Sequence, residues 1–102
     1  MSQFIAIAKK MEIPDQGAKC VRVGARRIAL FNLGGTFFAI DDACTHMGGP
    51  LSEGLIQGDE VVCPWHGAHF TIASGEVTMP PAGEDVTRYN VRVTGEEIEI
   101  EV

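Results

Sequence analysis

The sequence predicts an all-β protein with little helix. Three observations carry this: short runs rich in β-branched and aromatic side chains, glycine-bearing turns between them at hairpin spacing, and apolar-acidic alternation at the carboxyl end. In chain order, residues 1–10 alternate and end in charge, which reads as a strand. Pro14-Asp15-Gln16-Gly17 is an irregular connection. Lys19–Val23 is a strand in which Cys20 is expected as a half-buried thiol with no redox role. Arg26–Phe31 and Thr36–Ile40 are strands bounded by the hairpin points Val23-Gly24-Ala25 and Asn32-Leu33-Gly34-Gly35. Tyr89–Val93 and Glu97–Val102 form the last hairpin around Thr94-Gly95-Glu96. There Ile98, Ile100 and Val102 are expected to face the core, and Glu97, Glu99 and Glu101 to face water.

At 102 residues the chain is expected to form one domain with a modest core, stabilised further by any metal it holds, and to leave little room for a substrate pocket. No apolar run is long enough for a signal sequence or a membrane span, and a reducing cytoplasm suits three cysteines of which two have another use. A net charge of −6 disfavours nucleic acid as a partner. The charge is also unevenly placed. Every Lys and Arg lies between Lys9 and Arg27 or at Arg88 and Arg92. The stretch between Arg27 and Arg88 carries only acids: Asp41, Asp42, Glu53, Asp59, Glu60, Glu76, Glu84 and Asp85. Some of these are ordinary solvated surface, but their one-sided placement suits docking to basic patches on partner proteins.

The chemistry is concentrated in Cys44-Thr45-His46 and, sixteen residues on, Cys63-Pro64-Trp65-His66. Each supplies one soft thiolate and one imidazole. A Cys and a His one or two residues apart do not easily close a tetrahedron around one ion from regular secondary structure, so each pair is expected on a loop. Gly48-Gly49-Pro50 and Gly67 supply backbone that amides of such loops need to approach sulfur. A structural zinc site also uses two Cys and two His. Its usual spacings, however, keep like ligands together, whereas here the pairs are mixed.

The segments Cys44-Thr45-His46-Met47-Gly48-Gly49 and Cys63-Pro64-Trp65-His66-Gly67-Ala68-His69-Phe70 resemble the two cluster-binding boxes of Rieske-type ferredoxins, and Met79-Pro80-Pro81 resembles the proline loop that covers the cluster in that family. The resemblance extends over most of the chain. It implies one Rieske [2Fe-2S] cluster per chain, with Cys44 and Cys63 on the buried iron and His46 and His66 on the outer iron. It implies a small antiparallel sandwich, a single Rieske domain over residues 1–102, with a cluster-binding subdomain of roughly residues 42–85 inserted in it. It further implies a soluble one-electron carrier, like the ferredoxin component of bacterial aromatic-ring-hydroxylating dioxygenase systems. Such a carrier takes electrons from an NADH-dependent flavoprotein reductase and passes them to a terminal oxygenase, and is not itself the catalyst. The only His outside the ligand set is His69, which leaves a mononuclear iron site of the two-His-one-carboxylate kind without its residues. Two other readings stand beside this one: a small electron-transfer subunit of a nitrite-reductase-like complex, and, from a different class, a zinc-stabilised interaction module.

Departures from the other Rieske branch bear on the potential. Quinol-oxidising Rieske proteins carry an extra Cys in each box, forming a disulfide, where this chain has Gly49 and Trp65. They place hydroxyls where this chain has Ala68 and Phe70. Fewer donors to sulfur stabilise the added electron less, so a low potential is expected, and the acidic surroundings lower it further. Trp65 has two readings: packing against the scaffold, or an apolar tip with His46, Met47 and Pro80 through which an electron leaves.

Overall fold

The computed structural model describes residues 3–45, 47–65 and 67–101. Its strands in chain order are β1 (Phe4–Lys9), β2 (Ala18–Val23), β3 (Arg26–Leu33), β4 (Thr36–Asp41), β5 (Leu55–Gln57), β6 (Glu60–Val62), β7 (His69–Thr71), β8 (Val77–Met79), β9 (Arg88–Tyr89), β10 (Val91–Thr94) and β11 (Glu97–Glu101). Helix among the described residues is limited to the 3-10 turns Lys10–Glu12 and Leu51–Glu53. All pairings are antiparallel. They make a terminal sheet ordered β1-β11-β10, a central sheet ordered β2-β3-β4-β9, and a third sheet ordered β5-β6-β7-β8. The all-β antiparallel expectation therefore holds.

β3 shows why these sheets stack. Its run Ile28-Ala29-Leu30-Phe31 is fully buried, and successive side chains of a strand point to opposite faces. Ile28 and Leu30 pack with Ile98, Ile100, Phe37 and Tyr89 towards the terminal sheet. Ala29 and Phe31 pack with Leu51, Val61, Phe70 and Ile72 towards the third sheet. A strand buried on both faces reads as a continuous apolar run, and that makes the central sheet the middle layer of three. Each of the fully buried Ile28, Leu30, Ile98 and Ile100 contributes about 2 kcal/mol by burial. The core between terminal and central sheets therefore has substance of its own.

The hairpin points fall where the sequence puts them, with left-handed backbone at Gly24, Gly34, Gly35 and Gly95. Ile98 and Ile100 are buried and Glu97, Glu99 and Glu101 only partly so, while Val102 lies outside the described residues. Two expectations are corrected. Tyr89–Val93 is not one strand. β9 pairs with β4 and β10 pairs with β11, and the chain changes sheets at Asn90, whose carbonyl accepts from the Glu101 amide at 2.9 Å. Cys20 is exposed rather than half-buried. β2 is an edge strand on which Lys19, Cys20 and Arg22 all face solvent. No helix among the described residues is long and apolar enough to cross a membrane.

Candidate metal centre

The two Cys-His boxes fold into loops of the same construction. In the first, the Cys44 amide donates to the Gly49 carbonyl at 2.9 Å, and the Gly48 amide returns to the Cys44 carbonyl at 2.7 Å. In the second, the Cys63 amide donates to the Ala68 carbonyl at 2.7 Å. Each loop is thus closed by a bond from its cysteine to the carbonyl five residues on. A loop of this kind needs one reversal of backbone hand, and Gly48 (φ 76°) and Gly67 (φ 78°) supply it. His46 and His66 lie within these loops in sequence but outside the described residues.

The loops meet through their sulfurs. Cys44 and Cys63 are buried at 3% and 2% exposure and carry free thiols close enough to interact. Burial pushes the Cys63 thiol up, and the neighbouring Cys44 adds to this, while the Trp65 amide donating to sulfur works the other way. Gly49 is a point of close approach between the loops. A Cβ built there would lie 2.7 Å from Cys63 Sγ and 3.0 Å from Trp65 Cγ, so only glycine fits.

The surroundings hold this pair from three sides. Leu51, Val61, Ala68, Phe70, Ile72, Ala82 and Val86 share the apolar cluster that contains both cysteines. The segment after Met79-Pro80-Pro81 contributes Ala82 and Val86, and its Glu84 carbonyl accepts from Thr45 Oγ1 at 2.6 Å. Behind the first loop, Asp42 is a carboxylate at 1% exposure. Its Oδ1 accepts from the Ser52 amide at 2.7 Å, its carbonyl accepts from the Leu51 amide at 2.7 Å, and Arg27 lies 3.9 Å from its Oδ2. Asp42 therefore ties the start of the loop to its end. Sequence reasoning counted it among the surface acids, because an Asp41-Asp42 pair looks solvated and nothing local marks its burial. Glu60 is likewise engaged, with Oε1 3.1 Å from His69 Nδ1, while Glu53, Asp59, Glu76, Glu84 and Asp85 are exposed.

Trp65 stands about half exposed at 49%, Met47 at 60% and Met79 at 49%. Met47 follows the first box by one residue, Trp65 lies inside the second, and Met79 pairs across the sheet with His69. The tryptophan is partly packed and partly exposed. Its Cβ and Cγ rest on Gly49 while the side chain also meets solvent.

The Cys63 thiol, facing Cys44 in an apolar pocket and pushed up by burial, is poorly placed to ionise alone. A bound cation reverses this, because metal deprotonates a coordinating thiol and neutralises its charge. The donor chemistry fits an iron-sulfur group entering between the loops. Comparison with known proteins points the same way. The sequence profile of the Rieske [2Fe-2S] domain matches residues 3–90, and this chain belongs to that family. It is 43% identical over 76 residues to the 3-phenylpropionate/cinnamic acid dioxygenase ferredoxin subunit of Escherichia coli strain K12, covering 74% of this chain and 72% of that protein. A solved structure described as a complex of reduced oxygenase and oxidized ferredoxin in carbazole 1,9a-dioxygenase superposes with a TM-score of 0.88 at 30% identity, over 95% of this chain and 91% of that one. The Sphingomonas yanoikuyae B1 ferredoxin superposes with a TM-score of 0.91 at 25% identity, over 98% and 99% of the two chains.

Proposed function

We propose that this chain is a one-electron carrier of an aromatic-ring dioxygenase system, receiving electrons from an NADH-dependent flavoprotein reductase and delivering them to the terminal oxygenase. The observation that carries the reading is the pair of matched loops presenting Cys44 and Cys63 to one another inside a Rieske domain. Cys44, His46, Cys63 and His66 are assigned as the ligands of one [2Fe-2S] cluster. When bound, the cluster supplies a one-electron couple. The protein's own residues do the rest. Phe70, Leu51 and Val61 exclude water from the sulfur side, and the Trp65 amide donates to Cys63 sulfur. Ala68 and Phe70, both fully buried, present no hydroxyl, which sets a low potential. Met47, Trp65 and Met79, each exposed and close in sequence or strand pairing to a box, are suited to apolar contact with a partner.

Residues 1–102 act as a single Rieske domain with the cluster-binding subdomain over about 42–85, and the chain works in the cytoplasm and is not itself catalytic. The relatives serve different aromatic compounds, phenylpropionate or cinnamic acid in one and carbazole in another, which suits a carrier whose substrate is the electron. The test is reconstitution. With its reductase, NADH and oxygenase, the holoprotein is expected to support product formation that stops when it is omitted. Its rate should fall as salt screens charges over about 8 Å. Trp65→Ala is expected to slow transfer at all salt concentrations with the cluster spectrum intact. Product formation independent of the ferredoxin would refute the assignment.

A further inference from the structure

On a chain of net charge −6, three of the eight basic side chains converge on one groove of about 420 Å³ lined by Arg22, Ala25, Arg26, Arg27, Asp41 and Ala43. The register of the β2–β3 hairpin causes this, since Arg22 stands directly opposite Arg27 and Val23 opposite Arg26. Like charges opposite one another are unfavourable by themselves, and two carboxylates facing three guanidinium groups relieve them only in part. Asp41 is taken by the Tyr89 hydroxyl at 2.6 Å, and the single buried carboxylate of Asp42 lies 3.9 Å from Arg27. Arg26 is spread over the Tyr89 ring, its guanidinium carbon 5.8 Å from the ring centre. Among the described residues, the Arg22 side chain makes no hydrogen bond or ion pair. The groove is a concave cationic spot with donors to spare.

We infer that it receives an acidic segment, with aspartate or glutamate side chains, of the protein that exchanges electrons with this chain. Guanidinium forks pair with carboxylates through two parallel hydrogen bonds. The groove's apolar walls are the small Ala25 and Ala43, leaving room for peptide, and Tyr89 is covered by Arg26, leaving no free ring on which a nucleobase would stack. Location supports a protein partner, because Ala43 precedes Cys44 and bridges to Pro50 at the far end of the first loop. The groove therefore reaches the base of the first loop, beside any partner seated over that loop. Exposed acids of residues 53–85 attract bases on the partner while the arginines accept acids, so charges of both signs fix one docking orientation. This inference rests on the carrier reading for the partner's role, but not for the binding itself.

The experiment titrates the holoprotein with hexaglutamate and, separately, with inorganic phosphate, following arginine side-chain signals by NMR in the wild type, Arg22→Glu and Arg22→Lys. Saturable binding of hexaglutamate is expected, weakened at least tenfold in Arg22→Glu and by less in Arg22→Lys, with visible spectrum and melting temperature unchanged. Hexaglutamate should also slow electron transfer to the partner in the wild type and not in Arg22→Glu. No saturable binding, equal binding by Arg22→Glu, or phosphate binding tighter than the peptide would overturn the inference. A chain that binds hexaglutamate as described yet passes no electron to any oxygenase would instead overturn the carrier reading, and with it the identity of the occupant.

Discussion

The terminal and central sheets are built from strands of four to eight residues apart from β9, whereas every strand of the third sheet, next to the candidate centre, has three. The first region is held by periodic burial, with Ile28, Leu30, Ile98 and Ile100 meeting across two sheets. The second is held by specific ties: loop-closing bonds from Cys44 and Cys63, the buried Asp42 carboxylate, Thr45 reaching the Glu84 carbonyl, and glycine at 49. The buried side chains of the second region, Leu51, Val61, Phe70 and Ile72 among them, come from three-residue segments or from outside strands. The second region therefore depends on its ties and on the prosthetic group between its loops, while the first does not.

The sharpest way to break this contrast is Cys63→Ser. It is expected to abolish the visible spectrum and the amide-exchange protection of β6 and β7, while β3, β4 and β11 stay protected. Uniform loss of protection would show one cooperative unit. Next in size is Gly49→Ala, whose Cβ would sit 2.7 Å from Cys63 Sγ; it should cost about 3 kcal/mol, the upper part of the overpacking range, and lower cluster occupancy. Gly95→Ala in the terminal hairpin has φ of 61° and open space around it, so it should cost only about 1 kcal/mol of backbone strain with cluster content unchanged. Denaturant melts with iron analysis compare the two. A smaller effect is expected from Phe70→Tyr or Ala68→Ser. One added donor worth about 1 kcal/mol corresponds to a rise of about 40 mV for a one-electron couple. Voltammetry showing no rise would mean that exposure or geometry sets the potential.

The smallest concerns Glu60. The hydrogen bond with His69, then that with Thr78, holds its carboxyl below the ordinary value of 4.5. A carboxyl lowered on folding stabilises above its ordinary value and loses that contribution as pH falls from there through the lowered one. Glu60→Gln should therefore flatten the acid limb of melting temperature against pH slightly. An unchanged limb would remove the pair from the ties of the third sheet.

The same contrast governs what the sequence discloses. β1 to β4 and β11 were legible because runs of five or more alternating, β-branched or aromatic residues between turns are a signal in themselves. β5 to β8 were not, since three residues carry no period and their pairing is set by tertiary contact. Tyr89–Val93 looked continuous because a change of sheets at Asn90 leaves no mark on propensity. Cys20 was misplaced because edge position depends on what pairs beyond it. At the site, the two boxes and their glycines were plain in the sequence, and Gly49 proves to be a point of close approach between them. Asp42 was hidden, its burial being decided by Arg27 and Ser52 from distant segments.

The central claim is that the two boxes together hold one Rieske [2Fe-2S] cluster, and metal analysis joined to electron paramagnetic resonance of the reduced holoprotein tests it most directly. Equal amounts of iron and acid-labile sulfide are expected, with a rhombic spectrum of low average g. A colourless protein holding one zinc and no sulfide would contradict it.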